Sequence, residues 1–124
     1  MADRRVIIAE DGKKFRELLV EVVGAFPGLK VDSVMDGEML VRNVARGEYD
    51  LVLTDNHMPR MSGLEACREI RRTNRSLPIY LLSAERISPE TIRAVNATGY
   101  LEKGFDMVDD VRSVVQKHFG QGLS

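Results

Sequence analysis

The feature that most constrains this sequence is an alternation. Five apolar runs of strand length, VIIA (6–9), VDSV (31–34), LVLT (51–54), PIYLL (78–82) and the short GYL (99–101), are separated by stretches of helical periodicity. Parallel neighbours in a sheet cannot be joined by a tight hairpin and need a crossover, here each time a helix. The expected fold is therefore α/β, with five parallel strands and helices on both faces of the sheet. VIIA, LVLT and PIYLL are continuously apolar, as strands covered on both faces should be.

The helices announce themselves by spacing and by their ends. Phe15, Leu18, Leu19, Val22, Val23 and Phe26 recur at i, i+3, i+4, i+7, i+8 and i+11, a stripe that only a helix places on one face. This first helix is expected to stop at Pro27-Gly28. Asp36 is the expected N-cap of the second, which runs through Leu40, Val41 and Val44 to Gly47. The third starts near Ser62-Gly63, carries Leu64, Cys67 and Ile70, and ends at the cations Arg71-Arg72, which suit a helix C-terminus. Ser88-Pro89-Glu90 opens a short fourth helix, and Val108, Val111, Val114 and Val115 mark a fifth that ends near Phe119-Gly120.

The 124 residues fit one domain, expected over 1–120 with a flexible tail at 121–124. With 18 basic against 19 acidic residues, nothing suggests nucleic-acid binding through net charge. The apolar run before Glu10 is too short for a signal-peptide core or a membrane span, so a cytoplasmic location without membrane association is expected. Cys67 is the only cysteine, and its helical spacing between Leu64 and Ile70 reads as a small core residue.

The acids carry the chemistry. In an open doubly wound sheet ligands bind beyond the carboxyl ends of the strands where the strand order reverses, which in the order 2-1-3-4-5 lies between strands 1 and 3. Strand 1 runs into Glu10-Asp11 and strand 3 into Asp55, so the topology gathers three carboxylates that are far apart in sequence. Crowded like charges raise one another's pKa unless a cation sits among them, and hard oxygen ligands suit Mg²⁺. A carboxylate beside Mg²⁺ can attack phosphorus and form an acyl phosphate. Such a site also needs donors for the phosphoryl oxygens, and strand 4 ends in Ser83-Ala84 while Lys103 follows strand 5.

In this combination the chain resembles the receiver domain of two-component response regulators. The resemblance covers nearly the whole chain: Glu10-Asp11 after strand 1; a D-x-x-M-P-x-M-x-G pattern as Asp55, Met58, Pro59, Met61 and Gly63; Ser83-Ala84 after strand 4; then Tyr100 and Lys103. It implies a flavodoxin-like (βα)5 three-layer sandwich with strand order 2-1-3-4-5. It also implies that Asp55 accepts a phosphoryl group from a phosphohistidine on a sensor histidine kinase or phosphotransfer protein. Asp11, Asp55 and the backbone carbonyl of His57 would hold Mg²⁺, with Glu10 acting mainly through bound water. Lys103, Ser83 and the Ala84 backbone would contact the phosphoryl oxygens. Ser83 and Tyr100 would switch the face formed by helix 4, strand 5 and helix 5, where a target protein or a second copy binds.

Three departures accompany this resemblance. Gly104 stands where family members usually have a proline that helps to aim the lysine, so Lys103 is expected to be held less firmly or by other means. The segment from Ser83 to Tyr100 is short, which limits helix 4 to about two turns, and Asn96 is suited to a left-handed helix end. His57 and Glu85 occupy positions that in the family border the path of attacking water and tune the phosphoryl lifetime, while His118 reads as a polar group on the last helix.

Other readings fit less well. A Mg²⁺-dependent aspartyl phosphatase would show D-x-D after strand 1 and cap residues, and a flavin-binding protein would need a phosphate loop where this chain has the acidic EDGKKF. A receiver-like module that binds partners without phosphorylation is favoured only by Gly104.

Overall fold

The computed structural model describes residues 3–120, and the tail expected at 121–124 lies outside them. The elements alternate as expected: β1 Arg4–Ala9, α1 Lys13–Gly24, β2 Leu29–Val34, α2 Gly37–Arg46, β3 Leu51–Asp55, α3 Gly63–Arg71, β4 Ile79–Ser83, α4 Pro89–Val95, β5 Gly99–Glu102 and α5 Met107–Phe119. The strands form one parallel sheet in the order β2-β1-β3-β4-β5.

Strand residues alternate between the two faces, so each continuously apolar strand feeds two cores. On one face Val6, Ile8, Leu53 and Leu82 pack with Leu19 and Val23 of α1 and Val111 and Val115 of α5. On the other, Ile7, Ala9, Val52 and Ile79 pack with Leu40 of α2, Ala66, Cys67 and Ile70 of α3, and Val95 of α4. β3 and β4 are buried at every position. The edge strand β2 instead alternates the half-buried Leu29 and Val31 with the exposed Lys30 and Asp32. A one-residue slip would turn both charges inward, and that cost holds the register. Burial pushes the Cys67 thiol pKa up to about 11 against a small opposing effect of Arg71, consistent with an inert core cysteine.

The helix ends follow local chemistry. Asp36 accepts the Met39 N–H at 2.8 Å, and Ser62 and Glu65 cap α3 reciprocally. α4 has seven residues and closes at Asn96 with φ 58°, as the short segment and the asparagine suggest. α1 differs from expectation: it stops at Gly24, and Phe26 lies in the following turn, still packed on the core. The residue before a proline disfavours helical backbone, and Pro27 has no N–H to continue the ladder. Leu18, on the flank of the apolar stripe, is 41% exposed and not part of the core.

Candidate functional site

Strand register brings the site together. Ala9 pairs with Thr54, so the residues that follow, Glu10 and Asp55, face each other across the gap between β1 and β3. Asp55 pairs with Leu82 and Ser83 with Glu102, so Ser83 and Lys103 emerge beside them along the same edge of the sheet. Two close approaches shape the loops. The Gly12 N–H donates to the Glu10 carboxylate at 2.9 Å, and Gly63 sits so near that a Cβ there would lie 2.4 Å from the Asp55 carbonyl oxygen. Only a glycine allows the loop after Asp55 to return this tightly into α3.

Glu10, Asp11 and Asp55 each offer a carboxylate oxygen, and these oxygens all lie within 4.8 Å of one another. Glu10 and Asp55 are buried while Asp11 is exposed, so the cluster opens to solvent on one side. Lys103 Nζ lies 3.0 Å from Glu10 Oε1 and 3.0 Å from Asp55 Oδ2. The ammonium therefore bridges the two buried acids. Burial pushes the Glu10 carboxyl up, bonds from the Gly12 N–H and Lys103 pull it back, the Asp55 charge adds to the rise, and the net direction is upward. Burial opposes the charge on Lys103, but hydrogen bonds to Glu10 and Asp55 outweigh it and raise its pKa. Lys103 reaches this position with glycine after it. Its own N–H donates to the Ser83 carbonyl at 2.7 Å, and its ammonium lies 4.6 Å from the centre of the Phe15 ring on α1.

The remaining expected residues are distributed around this centre. Ser83 is fully buried at the end of β4, its hydroxyl oxygen accepting the Glu85 N–H at 3.1 Å, and Ala84 beside it is exposed. The His57 N–H is 3.4 Å from Asp55 Oδ1, and its imidazole lies 3.6 Å from the Glu85 carboxylate, which links the loops after β3 and β4. Both side chains are exposed, so this link is weak. Tyr100 lies further along β5, with its hydroxyl 3.5 Å from Glu102. It is therefore not in the acidic cluster. His118, read as a plain polar group, lies 2.7 Å from the Tyr80 hydroxyl.

Sequence reasoning missed three supports. Phe15 reads as part of the core stripe, and periodicity cannot distinguish a ring that packs on apolar groups from one that also seats an ammonium. Arg16 donates to the Glu10 carbonyl at 2.9 Å and so braces the loop after β1. Asn56 ties the loop after β3 to both β4 and α3: its N–H donates to the Leu82 carbonyl at 2.9 Å, and its side-chain oxygen accepts the Leu64 N–H at 3.1 Å. Its position directly after Asp55 is the only signal of this in the sequence.

Three carboxylates against one ammonium leave a local excess of negative charge, and the donor atoms are hard oxygens at one open edge. This donor set fits Mg²⁺, which favours few carboxylates and retained water. Glu10, Asp11 and Asp55 are the residues able to hold it.

Comparison with known proteins follows the same lines. The family model described as response regulator receiver domain matches residues 6–116. The response regulator MprA of Mycobacterium leprae is 31% identical over 118 residues, which cover 91% of this chain and 51% of MprA. A protein-glutamate methylesterase/protein-glutamine glutaminase of Treponema denticola is 36% identical over 85 residues, 68% of this chain and 23% of that protein. The chain thus spans about half or less of the length of these curated relatives. Among solved structures, the response regulator TrrA of Thermotoga maritima in complex with Mg²⁺-BeF superposes with a TM-score of 0.82 at 32% identity, covering 92% of this chain and 97% of TrrA.

Proposed function

Because the chain belongs to the response regulator receiver domains, which are signalling switches, we propose that it takes a phosphoryl group on Asp55 in a Mg²⁺-dependent reaction. The observation that carries this reading is the Lys103 ammonium 3.0 Å from both Glu10 and Asp55 at the carboxyl edge of the sheet, with Asp11 beside them.

In this mechanism Asp55 is the nucleophile. One carboxylate oxygen attacks the phosphorus of a phosphohistidine, the P–N bond breaks as the P–O bond forms, and the histidine leaves with its electron pair. Asp11, Asp55 and the His57 carbonyl would hold Mg²⁺, with Glu10 acting through bound water, and the ion would neutralise charge on the phosphoryl oxygens. Lys103 exchanges its carboxylate contact for a phosphoryl oxygen, and Glu10, already raised in pKa by burial, stays on the ammonium. Ser83 gives up the Glu85 N–H and donates its hydroxyl to a phosphoryl oxygen, with the Ala84 N–H as a further donor. The added charge, about 1.5 to 2 negative units, is what draws the β4–α4 loop inward. His57 and Glu85, paired across the mouth, border the water that later hydrolyses the acyl phosphate.

The output is proposed for the face formed by α4, β5 and α5. On its α4–β5 side a groove of about 460 Å³ is lined by Arg86, Ile87, Pro89, Ile92, Arg93 and Tyr100. Movement of Ser83 with its loop would free space for the Tyr100 ring and remodel this groove for a target protein or a second copy. The phosphodonor is proposed to be a sensor histidine kinase or phosphotransfer protein.

The test is intact mass after incubation with acetyl phosphate, with and without Mg²⁺. A single phosphoryl adduct is expected in the wild type only with Mg²⁺, and none in Asp55→Asn. Equal modification of the mutant, or none of the wild type, would remove Asp55 as the acceptor.

A further inference from the structure

The loop from Asp55 to Gly63 contains an unusual residue. Apart from Asn96 at the end of α4, Arg60 is the only non-glycine among the described residues with positive φ, at 71°. Around it the Met61 N–H donates to the Pro59 carbonyl at 2.8 Å. An i to i+2 bond spanning a residue with φ near +75° is the rare, strained form of γ-turn. Arginine, unlike asparagine, has no short polar side chain to offset the left-handed backbone. Such a conformation persists only where its surroundings hold it.

Two contacts do so, both from the start of α2. Arg60 Nε lies 3.5 Å from Asp36 Oδ2, and the Asp36 side chain is 10% exposed and fixed by the Met39 N–H at 2.8 Å. Gly37 lies so close to the loop that a Cβ there would be 2.2 Å from the Met61 carbonyl oxygen. The two ends of the loop are tied together and to β4, the Gly63 N–H donating to the Asn56 carbonyl at 3.0 Å and the Asn56 N–H to the Leu82 carbonyl at 2.9 Å, so the segment that contains His57 is held at both ends.

The geometry points to Asp36 as a positioning residue for the phosphorylation site. Through Arg60 it holds the loop in the strained turn that aims the His57 carbonyl. This role rests on the proposed ligation of Mg²⁺ by Asp11, Asp55 and that carbonyl. Because Arg60 is 67% exposed, the ion pair adds little to global stability, whereas its effect on a short loop gripped at both ends is direct.

That difference supplies the test: calorimetric Mg²⁺ titration, and thermal melting of the metal-free protein, for the wild type, Arg60→Ala, Arg60→Lys and Asp36→Asn. Arg60→Ala and Asp36→Asn are expected to weaken Mg²⁺ binding about tenfold, the lower end for partners that orient metal ligands. Asparagine still caps α2, so the metal-free midpoint should stay near that of the wild type in both variants. Arg60→Lys keeps the ion pair and should restore most of the affinity. Unchanged Mg²⁺ affinity in Arg60→Ala and Asp36→Asn would overturn the positioning role. So would parallel losses of affinity and stability without rescue by lysine, which would mark the pair as purely structural. A wild type that binds no Mg²⁺ would overturn the metal reading and this role with it.

Discussion

Lys103 answers for two buried carboxylates at once. Removing one partner of a buried ion pair leaves uncompensated charge and costs more than the pair itself contributes. In metal-free protein, Lys103→Ala should therefore lose about 3 kcal/mol by urea denaturation, with part regained in Lys103→Ala/Glu10→Gln. Wild-type stability in Lys103→Ala would show that the acids are relieved by another route. The deficit should also depend on pH. The folded-state pKa of Glu10 lies above the ordinary 4.5, mainly through burial, so folding favours its protonated form. That contribution is complete below pH 4.5 and is lost as pH rises through the folded value, so acidification should shrink the Lys103→Ala deficit. The meeting of Glu10, Asp11 and Asp55 was legible because acids at the ends of apolar strands have no packing reason to be there, whereas Ser83 and Lys103 could be picked out only by their places after β4 and β5. Phe15 was not legible, because a core phenylalanine and one that also seats an ammonium have the same spacing.

At the scale of elements, loop geometry decides which glycines matter. A Cβ on Gly63 would meet the Asp55 carbonyl oxygen at 2.4 Å and the Asn56 Cα at 3.0 Å, both backbone atoms that cannot yield without moving Asp55. Gly63→Ala should destabilise the fold by about 3 kcal/mol, the upper range for overpacking, and abolish the acetyl phosphate adduct. A methyl group on Gly104 would meet nothing within 4 Å, and φ there is not positive, so Gly104→Ala should stay within about 0.5 kcal/mol of the wild type. Equal effects of the two substitutions would refute this ranking, which chemical denaturation of both variants measures. Helix identities and caps could be read from Asp36, Ser62, Ser88 and Asn96, since capping is local chemistry. The end of α1 and the exposure of Leu18 could not, because the apolar stripe continues past the point where Pro27 stops the helix.

Across the whole molecule, a cation at the acidic edge would couple metal binding to folding. A ligand that binds only the folded state at a hundred times its dissociation constant stabilises by about 2.7 kcal/mol. For a domain of this size that corresponds to a rise of roughly 10 °C in Tm with Mg²⁺ relative to chelator, a rise that Asp11→Asn should reduce. A melting curve indifferent to Mg²⁺ would contradict the proposed ligand set. By itself the sequence determined the α/β class and the parallel sheet, because apolar periodicity and the crossover requirement are written residue by residue, while the strand order that gathers the acids at one edge came from the resemblance to receiver domains. Only the tertiary structure decided how Lys103 is held without the usual proline, that His57 faces Glu85, and that Arg60 leans on Asp36. Those contacts join residues far apart in the chain, and their distances depend on how strands and loops pack, which no local spacing encodes.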